Sequence, residues 1–233
     1  MCIKQNSVSL LFLMQLISSN LPVGGFMYSR GLEWAIEYKL VNSEKTFCSW
    51  QEQWINGTLV YLDWPMLKRC YYYTKISDEK NFFQCTSHIL SYRDTYELRL
   101  EEQQRGKAMK KLVLQWYPTL FTNQRNNTIW LLALERSGLA SIAWLGCMCG
   151  IPLHNLALGY AYNMLEASVM VGLKLVLFGQ SSAQSLLRYF ITILPKAWEK
   201  SKTISDSELG SSFLLQSIAS ACHETQYCRL FRS

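Results

Sequence analysis

The side chains that could do chemistry are few and poorly placed for it. Histidine occurs three times, at His88, His154 and His223, and no two stand at metal-ligand spacing. Cys147 and Cys149 form a C-x-C pair inside an apolar helical pattern. Residues two apart on a helix point to different faces, so core packing is the better reading of that pair. Cys222, His223 and Cys228 make a soft-ligand group that could take a transition metal. Positions 222 and 223 diverge on a helix, so closing such a site requires the chain to unwind. The sequence contains no G-x-x-x-x-G-K-[ST], H-E-x-x-H, G-x-S-x-G or C-x-x-C. A nucleotide P-loop, a zinc protease, an α/β-hydrolase and a dithiol couple are therefore not expected.

A second group is charged. Asp94, Glu97, Arg99, Glu101 and Glu102 stand between Arg93 and Arg105. Arg93 with Glu97, and Glu101 with Arg105, are i,i+4 pairs, each worth about 0.3–0.5 kcal/mol on an exposed helix. The favoured reading is a solvated, salt-bridged helix. The alternative puts Glu97 and Glu101 on one face, toward a partner or a passing cation. The basic stretch Arg99, Arg105, Lys107, Lys110 and Lys111 is interleaved with Glu101 and Glu102, which argues against a nucleic-acid surface.

Two segments have the composition of contacts. Leu21-Pro22-Val23-Gly24-Gly25-Phe26-Met27-Tyr28-Ser29 reads as a glycine-bearing turn between helices, where Gly24 and Gly25 permit positive φ and close backbone approach. The chain ends His223-Glu224-Thr225-Gln226-Tyr227-Cys228-Arg229-Leu230-Phe231-Arg232-Ser233. Terminal residues are usually frayed and polar. Tyr, Phe and Arg anchor interfaces or fill cores, so this tail is expected to dock on its own bundle or on a partner.

The elements that position these residues read as helices. Of the 233 residues 49% are hydrophobic, enough for a sizeable core, while the 12 glycines and 5 prolines fall below average usage and favour long helices. Val8 to Ile17 reads as a first core helix rather than a secretory leader, since Gln15 interrupts it and no A-x-A site follows. Phe47, Trp50, Trp54, Thr58 and Tyr61 form one stripe, on a helix that Pro65 ends or kinks. Residues 77–116 read as one or two helices, 122–128 as a polar loop, and 128–148 as a single helix. From Leu153 to Phe178 the chain is apolar nearly all round, so this helix belongs at the centre of a bundle and not in a membrane. Its line of Asn155, Gly159, Asn163, Glu166 and Lys174 faces either another helix at close range or a wet channel. Ser181 and Gln184 match a capping box, opening a helix with a Leu187, Phe190, Ile191 and Leu194 stripe. Leu215, Ile218, Ala219 and Cys222 mark a last short helix after the polar stretch 201–212. The expected architecture is an all-α, single-domain bundle over residues 1–233, with about eight to ten helices. The eight cysteines sit in helical patterns and read as reduced thiols, which points to the cytoplasm.

Four segments, in order, resemble the UreF family of urease accessory proteins. These are Leu21 to Glu33, Arg93 to Gly106, Gly150-Ile-Pro-Leu with Tyr160 and Lys174 through Gln180, and His223 to Ser233. The departures are Met27 at a small-residue position, Ala221-Cys222 in place of Met-Arg, and Cys228 in place of Ser. The resemblance implies a homodimer and no catalytic or tightly bound cofactor of its own. It implies a complex with a UreD/UreH-type protein, a UreG-type nickel-binding GTPase and apo-urease, in which GTP hydrolysis drives nickel insertion. On that reading Pro22, Gly24, Gly25, Tyr28, Ser29, Glu33, Glu97, Glu101 and Gln180 lie near a partner-facing or channel surface. The tail residues His223, Glu224, Gln226, Tyr227, Arg229, Leu230, Phe231 and Arg232 dock on the UreD-type partner, with Arg229, Phe231 and Arg232 as the anchors. Two alternatives stay open: a GTPase-activating role through Arg99, Arg105 or Glu101, and a nickel carrier with its own site.

Overall fold

Helix is the only regular structure among the described residues, as the composition predicts. The computed structural model describes residues 2–24, 27–121, 124–175, 177–210 and 213–232. Helix α1 spans Cys2–Leu16 and α2 spans Leu32–Glu37. Helix α3, Glu44–Trp54, opens with a reciprocal cap: Ser43 Oγ accepts from the Thr46 amide at 3.3 Å, and Thr46 Oγ1 accepts from the Ser43 amide at 3.0 Å. Its stripe of Phe47, Trp50 and Trp54 is buried as read.

The chain does not stop at Pro65. Residues Ile55–Asp63 wind as a π-helix and run directly into α4, Trp64–Lys75. Pro65, in the first turn of α4, cannot donate to the carbonyl one turn back in the π stretch; the Tyr61 carbonyl there accepts instead from the Gly210 amide at 3.2 Å. The wider winding turns Ile55, Thr58, Leu59, Val60, Leu62 and Asp63 all inward.

Two helices, α5 (Glu79–Ser91) and α6 (Tyr96–Trp116), fill the expected stretch before Pro118. The next stretch departs from expectation. It is split into α7, Gln124–Arg136, and α8, Gly138–Met148, so part of the predicted polar loop is helical. Thr122 and Asn123 lie outside the described residues. The break has a packing cause. Helix α6 approaches so closely at Gly106 that a Cβ there would stand 2.6 Å from the Glu135 carbonyl and 2.8 Å from the Ser137 amide. Ser137 then caps α8, its Oγ accepting from the Ala140 amide at 3.1 Å.

Helix α8 packs on α4 and α6, and α9 (Leu153–Lys174) packs on α10 (Gln180–Ser201). Trp64 ties α4 to α9 by donating Nε1–H to the Ala157 carbonyl at 2.9 Å. The small-and-polar line of α9 meets α1 at close range. A Cβ on Gly159 would lie 2.8 Å from Leu13, and Asn163 Nδ2 donates to the Ile17 carbonyl at 2.8 Å. Helix α9 has the length and apolarity of a membrane span, but 56% of that window is buried inside this chain.

Three expected details are corrected. Among its described side chains, helix α1 buries one narrow stripe, Ser9, Leu13 and Leu16, and leaves Val8, Leu10, Leu11 and Met14 exposed. Helix α10 starts at Gln180 after Gly179 without a side-chain cap, so the Ser181–Gln184 box does not form; Ile191 in its stripe is exposed. Helix α11, Leu214–His223, buries Gln216, Ala219, Ser220 and His223, with Ile218 exposed. Its inner face is polar because it lies against charged groups of α2 and α6.

Candidate functional site

The turn before α2 places the first charged group. Arg30 (φ 55°) and Gly31 (φ 79°) are successive left-handed residues. Gly31 has a second reason to be glycine: a Cβ there would stand 2.5 Å from the Ser220 amide of α11. The turn carries Arg30 inward, where Nε donates to both oxygens of Glu101 at 3.1 and 2.9 Å. Arg105, one turn along α6, donates to the same carboxylate at 3.3 Å. Both guanidinium groups also donate to Met164 Sδ of α9, at 3.2 and 3.1 Å.

A pair of carboxylates, Asp63 and Glu102, lies beside Glu101. Arg93 Nη2 stands 2.9 Å from Glu102 Oε2 and 2.8 Å from Asp63 Oδ1. Glu102 Oε1 accepts from Ser137 Oγ at 2.7 Å and from the Leu139 amide at 2.8 Å. Tyr160 donates its hydroxyl to Asp63 Oδ2 at 3.1 Å. The contact of Asp63 Oδ1 with Arg93 is an ion pair outside hydrogen-bond geometry, which leaves that oxygen without a hydrogen bond. Asp63, Arg93, Glu101 and Glu102 all line a cavity of ≈ 40 Å³, room for about two or three waters.

The electrostatics follow from burial set against pairing. Burial opposes the charge on Glu101, but Arg30, Arg105 and Arg93 together hold its pKa at about 2. Burial likewise opposes Glu102, which Arg93 and the Leu139 amide keep below the ordinary range. Asp63 goes the other way: burial outweighs Arg93 and raises it.

The third cluster holds the C-terminus. His223 is fully buried, with Nδ1 2.8 Å from Glu97 Oε2 and Nε2 3.1 Å from Glu33 Oε2. Glu33 accepts the Leu230 amide at 2.6 Å and the Phe231 amide at 3.0 Å. Glu97 accepts from Arg229 at 2.9 Å. The Arg232 amide donates to the Met27 carbonyl at 2.8 Å, and Lys174 lies 5.3 Å over the Phe231 ring.

The structure therefore brings together Tyr28, Ser29, Glu33, Glu97, Glu101, His223, Arg229 and Phe231. Tyr28, Ser29, Glu33, Glu97 and Glu101 are buried rather than on the surface. Pro22 is exposed and Gly24 half-buried in the turn; Gly25 and Ser233 lie outside the described residues. Gln180 is exposed at the start of α10, apart from these hydrogen bonds. In the tail Glu224 and Gln226 are half-buried, while Tyr227 (105%) and Leu230 (63%) are turned to solvent.

The solvated-helix reading of residues 93–105 is overturned. Glu101 does pair with Arg105, but inside the protein, and Arg93 pairs with Glu102 and Asp63 instead of Glu97. The Cys222, His223 and Cys228 metal group is overturned as well. Both His223 nitrogens are committed to carboxylates, Cys228 is exposed, and no cluster suited to a metal occurs among the described residues. Arg105 is locked on Glu101, and Arg99 donates to the Arg93 carbonyl at 2.7 Å, so neither extends from the surface as a finger.

Comparison with known proteins decides the family. The UreF family model matches residues 41–190. The chain is 66% identical over 233 residues, all of both chains, to the urease accessory protein UreF of Blochmanniella pennsylvanica. It is 63% identical over 225 residues to that of Blochmanniella floridana, covering 97% of this chain and 96% of the other. It is 47% identical over 228 residues to that of Pseudomonas putida, covering 98% and 99%. The chain belongs to the UreF family of urease accessory proteins.

Sequence reasoning missed part of this UreF-family site. Arg30, Asp63, Arg93 in its true pairing, Glu102, Tyr160 and Met164 all belong to the network. Gly31 ahead of a helix was a readable turn signal, since glycine takes positive φ freely, but the positive φ of Arg30 beside it was not readable. Asp63 was not readable, because only the π winding turns it inward.

Proposed function

We propose that this chain is a non-catalytic cytoplasmic adaptor in urease maturation, needed for GTP-dependent nickel insertion into apo-urease. In this reading it forms a homodimer, binds a UreD/UreH-type accessory protein, and recruits a UreG-type GTPase to the enzyme. The observation that carries it is full-length similarity to proteins named urease accessory protein UreF. Support comes from the tail: Arg229, Phe231 and Arg232 anchor it to its own bundle, which leaves Tyr227 and Leu230 presented outward. An exposed tyrosine on a pinned backbone is a group that a partner pocket takes up.

The buried carboxylates then act at second hand. Glu33, Glu97 and Glu101 shape the surface from beneath instead of touching the partner. Nickel, if it passes this chain, is cargo and not a resident cofactor. Co-purification with the UreD-type and UreG-type proteins, with and without GTP and nickel, tests the reading. A chain that captures neither protein under any of these conditions overturns it.

A further inference from the structure

The environment of His223 favours its doubly protonated form. A neutral imidazole offers one N–H and one lone pair. Here both nitrogens face carboxylate oxygens, at 2.8 and 3.1 Å. Each carboxylate already accepts from other donors. Both oxygens of Glu33 accept tail amides, and Glu97 Oε1 accepts from the Arg229 guanidinium. A neutral ring would aim its lone pair at an anion inside the protein; only the imidazolium donates to both.

We infer that the C-terminal tail is held by a proton-dependent latch, in which the His223 imidazolium bridges Glu33 of α2 and Glu97 of α6, and those two carboxylates grip Leu230, Phe231 and Arg229. The charged groups around the ring are few. Helix α2 supplies Glu33 and helix α6 supplies Glu97. The tail supplies Arg229, at one remove through Glu97. The end of α11 supplies Glu224, whose Oε1 accepts the Glu97 amide at 3.3 Å. Burial works against the imidazolium, yet the hydrogen bonds to Glu97 and Glu33 outweigh it and raise the His223 pKa above its ordinary value. A raised folded-state pKa fixes the sign. The latch is fully closed below the ordinary imidazole range, about 6.5, and its stabilisation is lost as pH rises through the raised value.

Opening frees more than a terminus. Arg229 and Phe231, occupied in the closed state, become available beside Tyr227 and Leu230. That consequence for partner binding rests on the adaptor role proposed above; the latch itself is a property of this chain alone.

The test is an NMR titration of the isolated full chain from about pH 5.5 to 9.5, the range that brackets an imidazole. It follows the His223 ring nitrogens together with exchange protection of the Leu230 and Phe231 amides, corrected for intrinsic base catalysis. The expected result is a doubly protonated ring at the acid end and loss of amide protection along the same curve as the ring. A singly protonated ring at the acid end, or protection that survives the ring's titration, overturns the latch. Glu33→Gln removes one of the two anions and should lower the titration midpoint; an unchanged midpoint also counts against it. A separate arm compares capture of the UreD-type protein by the intact chain and by one ending at Gln226. Equal capture defeats the tail-docking reading, while the latch is judged by the titration alone.

Discussion

Arg93 reaches two carboxylates that nothing else neutralises as directly, Asp63 and Glu102. Removing one partner of a buried ion pair leaves uncompensated charge, which typically costs 3–5 kcal/mol. Arg93→Ala should therefore lose about 3–5 kcal/mol in urea unfolding, more than the exposed substitution Arg188→Ala, which should stay within about 0.5 kcal/mol. Glu101 sets the acid limit. Its pKa falls to about 2 in the folded protein, so its contribution is complete above the ordinary carboxylate range and is lost as pH falls toward about 2. Arg30→Met should bring that acid transition to higher pH, and thermal unfolding between pH 5 and 2 reads it. At this scale the sequence was half legible. Spacing put Glu97 and Glu101 on one face and found the Glu101–Arg105 pair. It could not find Arg30 or Asp63, whose partners lie 71 and 30 positions away in the chain and meet only through the fold.

Helices expected from periodicity are present where apolar residues repeat cleanly, as in α3 and α9. They differ where a neighbour overrides the pattern. The split between α7 and α8 answers to the close approach of α6 at Gly106, which no local periodicity encodes. Gly106 and Gly159 should respond differently to the same methyl group. At Gly106 the obstacles are backbone atoms, so Gly106→Ala should cost about 3 kcal/mol or more. At Gly159 the obstacles are side chains of Leu13 and Ile17, so Gly159→Ala should cost about 1 kcal/mol and loosen α1. Denaturant midpoints rank the two variants, and amide exchange in α1 reports where the second one acts. Polar character misled in α11, where the buried face carries Gln216, Ser220 and His223. A leucine-seeking pattern selects the wrong face of a helix that packs on ion pairs.

Across the whole molecule, burial redistributes charge. Glu33, Asp63, Glu97, Glu101 and Glu102 are inside, with Arg105 and most of Arg30 and Arg93. Five acids against three arginines and the His223 imidazolium is a net −1 inside; that imidazolium raises the chain's +6 to +7, which leaves about +8 for the outer surface. The protein therefore presents itself to partners as more basic than its composition states. Association with an acidic partner should slow as salt is raised, while dissociation changes little, which stopped-flow measurements at several ionic strengths can separate.

The π-helical stretch from Ile55 to Asp63 joins α3 to α4 without a loop to absorb changes in length. Rotation per residue in an ordinary helix is about 100°. Deleting one residue from this stretch would thus tend to swing one flank about its axis by that angle relative to the other. Asp63 would leave its place beside Arg93 and Tyr160, or else Trp50 and Trp54 would leave theirs. The residue count of this continuous stretch is a fixed dimension, and insertions or deletions there should be borne less well than in the polar crossing that follows α10.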